Sequence, residues 1–219
     1  MTATAGKTPI PPRAASALEL FLFLGGLPLL AVIWPDYTFR RVLLLTACAY
    51  VALRLYGRVD WRHVGGLPSA GWWRAPALRG ALVAVCILAY VLIVEPDRLF
   101  ALPRERPGVW LAIMFAYPIF SVIPQELIYR VYLFETHAGL WIKPRLAIIA
   151  SALLFGWMHI VFVGWFAVAT TTIGGFLLAD TYARTRAKPG ALWIVALEHS
   201  LYGLAMFTMG LGKYFFMPR

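Results

Sequence analysis

The chain has little acid, little charge of any kind and almost no cysteine. Ten Asp and Glu stand against 20 Lys and Arg in 219 residues, and charged residues make up 14% of the whole. So few charges cannot solvate the surface of a soluble domain whose composition is 61% hydrophobic, because a single core of this length cannot hide that much apolar surface. Two cysteines, Cys48 and Cys86, rule out a disulfide framework and supply no metal-ligand spacing; both fall in apolar runs and read as small buried hydrophobes. No internal repeat and no low-complexity tract is present, which speaks against the two-fold architecture of many secondary transporters.

What the chain does have is long apolar runs. Mean hydropathy is +0.74, and stretches of the length that crosses roughly 30 Å of hydrocarbon lie near 15–34, 41–56, 78–94, 109–134, 146–162, 165–181 and 190–209. These predict an all-α fold, a polytopic membrane bundle of about seven transmembrane helices. With the N-terminus in the cytoplasm, twelve Lys and Arg fall on the cytoplasmic side and seven on the other, which sets the orientation by the positive-inside rule. The net charge of +10 is scattered over span ends instead of forming one stripe, so it reads as topology and anionic-lipid contact, not as a nucleic-acid surface. Residues 1–14 read as a disordered cytoplasmic tail. The segment 57–77 alternates Arg with Trp61, Trp72 and Trp73 and suits the membrane interface. Residues 15–107 carry one intramembrane acid, Glu19, and read as support helices with an interfacial loop; 108–219 holds nearly every other intramembrane ionisable group. Glu135, His137 and Asp180, at span ends, are expected to face water.

A charge at mid-bilayer costs about 2.5–3.5 kcal/mol on insertion scales, so such residues face protein and pair with something. The second half places Gln125, Glu126, Arg130, His159, Glu198 and His199 in its spans. Glu126 and Arg130 are four apart and share a helix face, so the pair alone could be a structural ion pair. Gln125, about 100° round the helix, can turn to a cavity, and Pro118 and Pro124 remove backbone donors around it. His159 in Phe155-Gly156-Trp157-Met158-His159, and His199 beside Glu198, add two imidazoles from two further helices. An acid and two imidazoles converging on one water supply a base, a proton donor and a group that polarises a carbonyl. The same residue types also make an open zinc-type ligand set. Thr170, Thr171, Thr172, Gly174 and Gly175 suit close helix packing.

These motifs resemble the CAAX-protease and bacteriocin-processing (Abi) family of intramembrane endopeptidases. The family has Glu-Glu-x-x-x-Arg, Phe-x-x-x-His and His-x-x-x-Asn on successive membrane helices; this chain has Gln125-Glu126 followed by Arg130, Phe155 followed by His159, and His199 followed by Gly203. The match spans about 109–209, in order and at fitting distances. The resemblance implies a CAAX-protease-like catalytic core in the C-terminal half and hydrolysis of a peptide bond in a membrane-associated protein or peptide. It implies that Glu126 with His159 activates water, His199 holds the oxyanion or protonates the leaving amine, Arg130 orients Glu126, and Gln125 bonds substrate or water. No cofactor is required; a divalent metal at Glu126, His159 and His199 is the alternative. The other expected partner is the bilayer, in a bacterial inner membrane, and the oligomeric state is open.

Two positions depart from the family pattern: Gln125 stands for the first Glu and Gly203 for the Asn. Glutamine takes up no proton near neutral pH, which leaves Glu126, or Glu198 beside His199, to supply the carboxylate. The same departures suit a non-hydrolytic scaffold or immunity-type peptide-binding protein, and a proton-coupled transporter is a third reading.

Overall fold

The computed structural model describes residues 12–162 and 164–215; most of the expected tail lies outside them, and helix already begins at Arg13. Among the described residues seven long helices follow one another: α1 (Arg13–Ile33), α2 (Tyr37–Leu55), α3 (Ala70–Val94), α4 (Pro107–Thr136), α5 (Pro144–Val161), α6 (Trp165–Thr185) and α7 (Ala191–Met209). Each lies on one of the apolar runs read from the sequence. Five of them, α1, α3, α4, α5 and α7, are long and apolar enough to cross a membrane. The other two are of comparable length but carry Arg40, Arg41 and Arg54 in α2 and Asp180 and Arg184 in α6. Among the described residues there is no strand.

The outer faces are apolar and open. Leu45, Leu53, Leu82, Ile93, Phe115, Phe120 and Ile173 are all exposed, the arrangement expected where the surrounding solvent is lipid and apolar side chains gain nothing by turning inward. The interior instead gathers the polar groups. The helices that pack most extensively are α5 with α6, α3 with α7, and α6 with α7. Small residues make the first contact possible: the Cα of Ala152 lies 3.1 Å from where a side chain on Gly175 would begin, and a side chain on Gly156 would overlap the Thr172 hydroxyl. This close approach is the packing expected of the Thr and Gly run in α6.

The connections are short and capped. Asp36 accepts from the Phe39 amide at 2.7 Å to open α2, and Asp60 accepts from the Arg62 and His63 amides to start the short helix Trp61–Val64. That interfacial segment is tied to the start of α7, where the Trp193 indole donates to Gly65 O at 2.8 Å and the Gly190 amide donates to His63 O at 2.8 Å.

The N-terminal helices do more than face lipid. Glu19 on α1 accepts from Tyr50 at 2.6 Å and from Arg54 at 2.7 and 2.6 Å on α2, and from Tyr132 at 2.5 Å on α4, so one carboxylate fastens the support helices to the second half. His137, expected in water, is fully buried beside this cluster, edge-on to Tyr132 with ring centroids 4.9 Å apart and Nε2 3.9 Å from Glu19. The turn after α4 folds it inward against the Tyr132 ring, and neither ring nitrogen has a hydrogen-bond partner among the described residues. Burial pulls its pKa down to about 4. Glu135 and Asp180 are half-buried in ion pairs, Glu135 with Arg186 at 2.8 Å and Asp180 with Arg79 and Arg184 at 2.9 and 2.8 Å.

Candidate active site

The site begins with the two prolines of α4. Each lacks an N–H and crowds the carbonyl four residues back, and the helix answers by widening to π-type turns over Pro118–Val122 and again over Leu127–Thr136. Wide turns of this kind shift side chains out of α-helical register and recur at functional sites. Here they carry Glu126 and Arg130 to the centre of the bundle, where neither has any solvent exposure.

Glu126 faces α7. Its Oε1 lies 2.6 Å from Nδ1 of His199, and its Oε2 lies 3.3 Å from Nε of Arg130 without the alignment of a hydrogen bond. A carboxylate only accepts, so the His199 Nδ1 carries the proton and Nε2 is the basic nitrogen of the neutral ring. The same logic fixes His159 at the end of α5: its Nδ1 donates to Phe155 O at 2.7 Å, again leaving Nε2 basic. Both imidazoles line one cavity of about 560 Å³ that runs between α3, α4, α6 and α7. Glu126 lies behind His199 and does not reach the cavity wall, whereas Gln125 does; its Nε2 donates to Ser121 Oγ at 2.8 Å and its Oε1 has no partner among the described residues.

Phe155 joins these parts. Its ring meets His159 edge-on at 4.8 Å, His199 at 5.4 Å and Tyr129 at 5.5 Å, and the Arg130 guanidinium lies 4.6 Å from its centroid. The ring thereby sets both imidazole planes and gives a fully buried cation a π face. Arg130 needs it, since none of its nitrogens has a hydrogen-bond partner among the described residues.

Glu198 goes elsewhere. It is fully buried and accepts from Thr181 and Tyr202 at 2.5 Å each, with Arg79 at 3.7 Å. Its carboxylate thus ties α6 and α3 to α7, and the Tyr202 hydroxyl is spent on it. Among the described residues no cluster of three His, Cys, Asp or Glu is spaced to hold a metal ion; ligation by Glu126, His159 and His199 together would require the Glu126–His199 pair to part.

Sequence reading had not singled out two lining residues, Tyr117 and Ser121 on α4. Phe155 enters the sequence pattern only as the start of a motif, although its position one turn before His159 already allows ring-to-ring contact. Tyr117 carried no signal beyond its place before Pro118.

A bundle of apolar helices that gathers two oriented imidazoles and a buried carboxylate in its interior is that of an integral membrane protein with a polar core. The comparison is more particular: residues 107–205, from the first residue of α4 through most of α7, match the family model described as Type II CAAX prenyl endopeptidase Rce1-like, the CAAX-protease family that the motifs resemble. The family is membrane-embedded and points to a protease. No curated protein and no solved structure matches the chain.

Proposed function

We propose that this chain is an intramembrane endopeptidase that hydrolyses a peptide bond in a membrane-associated protein or peptide, using its own side chains and no cofactor. The observation that carries the reading is the 2.6 Å contact of the buried Glu126 with His199, whose ring lines a cavity that His159 also lines. In this scheme His199 Nε2 takes a proton from water as its oxygen attacks the scissile carbonyl carbon, and Glu126 stabilises the resulting imidazolium. The proton then passes to the leaving amine as the C–N bond breaks. His159, neutral and with Nε2 as acceptor, orients the water.

The base is therefore His199 backed by Glu126. Glu126 acting directly would need its oxygen freed from the imidazole and a path to the cavity wall. Arg130 holds the second carboxylate oxygen, and Gln125 offers its free Oε1 to a backbone N–H of the substrate. The mostly apolar walls exclude bulk water and strengthen each of these interactions. The chain is an integral membrane protein, placed by this reading in a bacterial inner membrane, and the distribution of Lys and Arg favours a cytoplasmic N-terminus.

A second reading, peptide binding without hydrolysis, is favoured by one observation, the amide of Gln125 where a second acid would sit. Comparing the membrane peptides of cells carrying the wild-type chain, Glu126→Ala or His199→Ala separates the two. New peptide termini present only with the wild type support hydrolysis. Identical peptide sets in all three cells, with the proteins expressed and folded, reject it in favour of binding.

A further inference from the structure

Hydrolysis in this cavity places a negative charge on the carbonyl oxygen as the water attacks, and a donor must already be aimed at that oxygen for the step to be fast. Most polar groups on the wall are committed. Thr170 and Thr171 donate to Phe166 O and Ala167 O at 2.7 and 2.6 Å, Tyr202 donates to Glu198, and the Nδ1–H of both imidazoles is given away. Ser121 and Gln125 are bonded to each other. The Tyr117 hydroxyl lines the cavity and makes no hydrogen bond among the described residues.

Its position is fixed by three contacts. The ring stands edge-on to His199, with centroids 6.1 Å apart and planes at 83°, and edge-on to Phe207 at 5.3 Å. The third contact is made by an absent side chain. Gly203 lies one turn after His199 on α7, and a Cβ there would overlap the hydroxyl oxygen, Cε1 and Cζ of Tyr117. The glycine is thus the seat of the phenol, and it places the O–H beside the imidazole on the same helix face. A phenolic O–H is a donor with the reach of a side-chain amide and stays protonated near neutral pH.

We propose that Tyr117 is a further catalytic residue, whose O–H, seated on Gly203 beside His199, donates to the oxyanion of the tetrahedral intermediate. This rests on the protease reading. The water oxygen bonds the carbonyl carbon, its proton goes to His199 Nε2, and the C=O pair moves to oxygen, where Tyr117 receives it by hydrogen bond while keeping its own proton. Collapse re-forms C=O, breaks C–N and returns the proton to the amine.

The test uses the full chain in phosphatidylcholine vesicles with a pool of acyl-anchored, internally quenched peptides, and matched anchored pools with a central amide or a tetrahedral phosphinate. Tyr117→Phe keeps the ring and its packing. It lowers kcat about 100-fold, the usual loss of one oxyanion donor, with KM changed less than about twofold, and it removes the wild-type preference for phosphinates over amides. Gly203→Ala displaces the hydroxyl without deleting it and lowers kcat in the same direction. Tyr56→Phe, which deletes an exposed hydroxyl outside the cavity, leaves both measures unchanged. A Tyr117→Phe chain with wild-type kcat, or with the loss in KM alone, overturns the proposal. If the wild type cleaves no peptide, the protease reading fails. The phosphinate preference then judges Tyr117 separately, and a preference that is absent or survives Tyr117→Phe overturns its assignment.

Discussion

Glu126→Gln tests two consequences of one geometry. The substitution keeps the shape of the side chain and removes its charge, so both neighbours lose what they depend on. On the Arg130 side, two fully buried unit charges 3.3 Å apart attract by about 5 kcal/mol at an effective dielectric constant near 20. Breaking a buried pair by deleting one partner costs about 3–5 kcal/mol, because the remaining charge is stranded. The Phe155 ring 4.6 Å away contributes about 2 kcal/mol and is present in both proteins. On the His199 side, a neutral amide no longer stabilises an imidazolium or enforces its tautomer, and the analogous loss in acid–imidazole pairs is about 10⁴ in rate. Unfolding in detergent micelles, followed together with peptide cleavage in vesicles, reads both. Glu126→Gln is expected to lose stability and activity. Adding Arg130→Met should recover most of the stability and none of the activity. A Glu126→Gln chain that cleaves at the wild-type rate refutes the pairing of Glu126 with His199 as the base, and a double variant no more stable than the single one refutes the stranded charge.

Two further outcomes follow from contacts outside the cavity. His137 is buried neutral with its pKa lowered to about 4 by burial. The unfolded chain, protonating near 6.5, therefore binds the extra proton first, and stability present at neutral pH is lost as pH falls from about 6.5 towards 4. The loss between pH 7 and pH 5 is about 2 kcal/mol, and His137→Gln should flatten that part of a melting-temperature profile; an unchanged slope would reject it. Gly156→Ala inserts a methyl group against the Thr172 hydroxyl in the α5–α6 contact. Overpacking of this kind costs about 1–3 kcal/mol, and Thr172→Ala in the same chain should restore it in a thermal-shift assay.

Much of the fold was legible because the bilayer restricts what a chain can do. Apolar runs of spanning length become helices when backbone groups have no water to bond, and all seven predicted runs are helical in the structure. The intramembrane Glu, Arg and His residues were equally legible, since their cost in lipid marks them as interior. Sequence spacing could pair Glu126 with Arg130 along one helix, but it could not show that α7 would bring His199 to within 2.6 Å of the same carboxylate. It also misplaced His137, which the turn after α4 packs edge-on against Tyr132 and close to Glu19, 118 positions earlier in the chain.

By itself the sequence determined the helices, their apolar outer faces and the residue types that must turn inward, because hydropathy and backbone satisfaction act locally along the chain. Tertiary structure alone decided which carboxylate stands behind which imidazole, sent Glu198 to Thr181 and Arg79, and set the Tyr117 ring on Gly203. Those relations join residues tens of positions apart. They depend on how closely α4, α5, α6 and α7 approach and rotate about one another, which the packing of small residues and widened turns fixes only when the whole bundle is assembled.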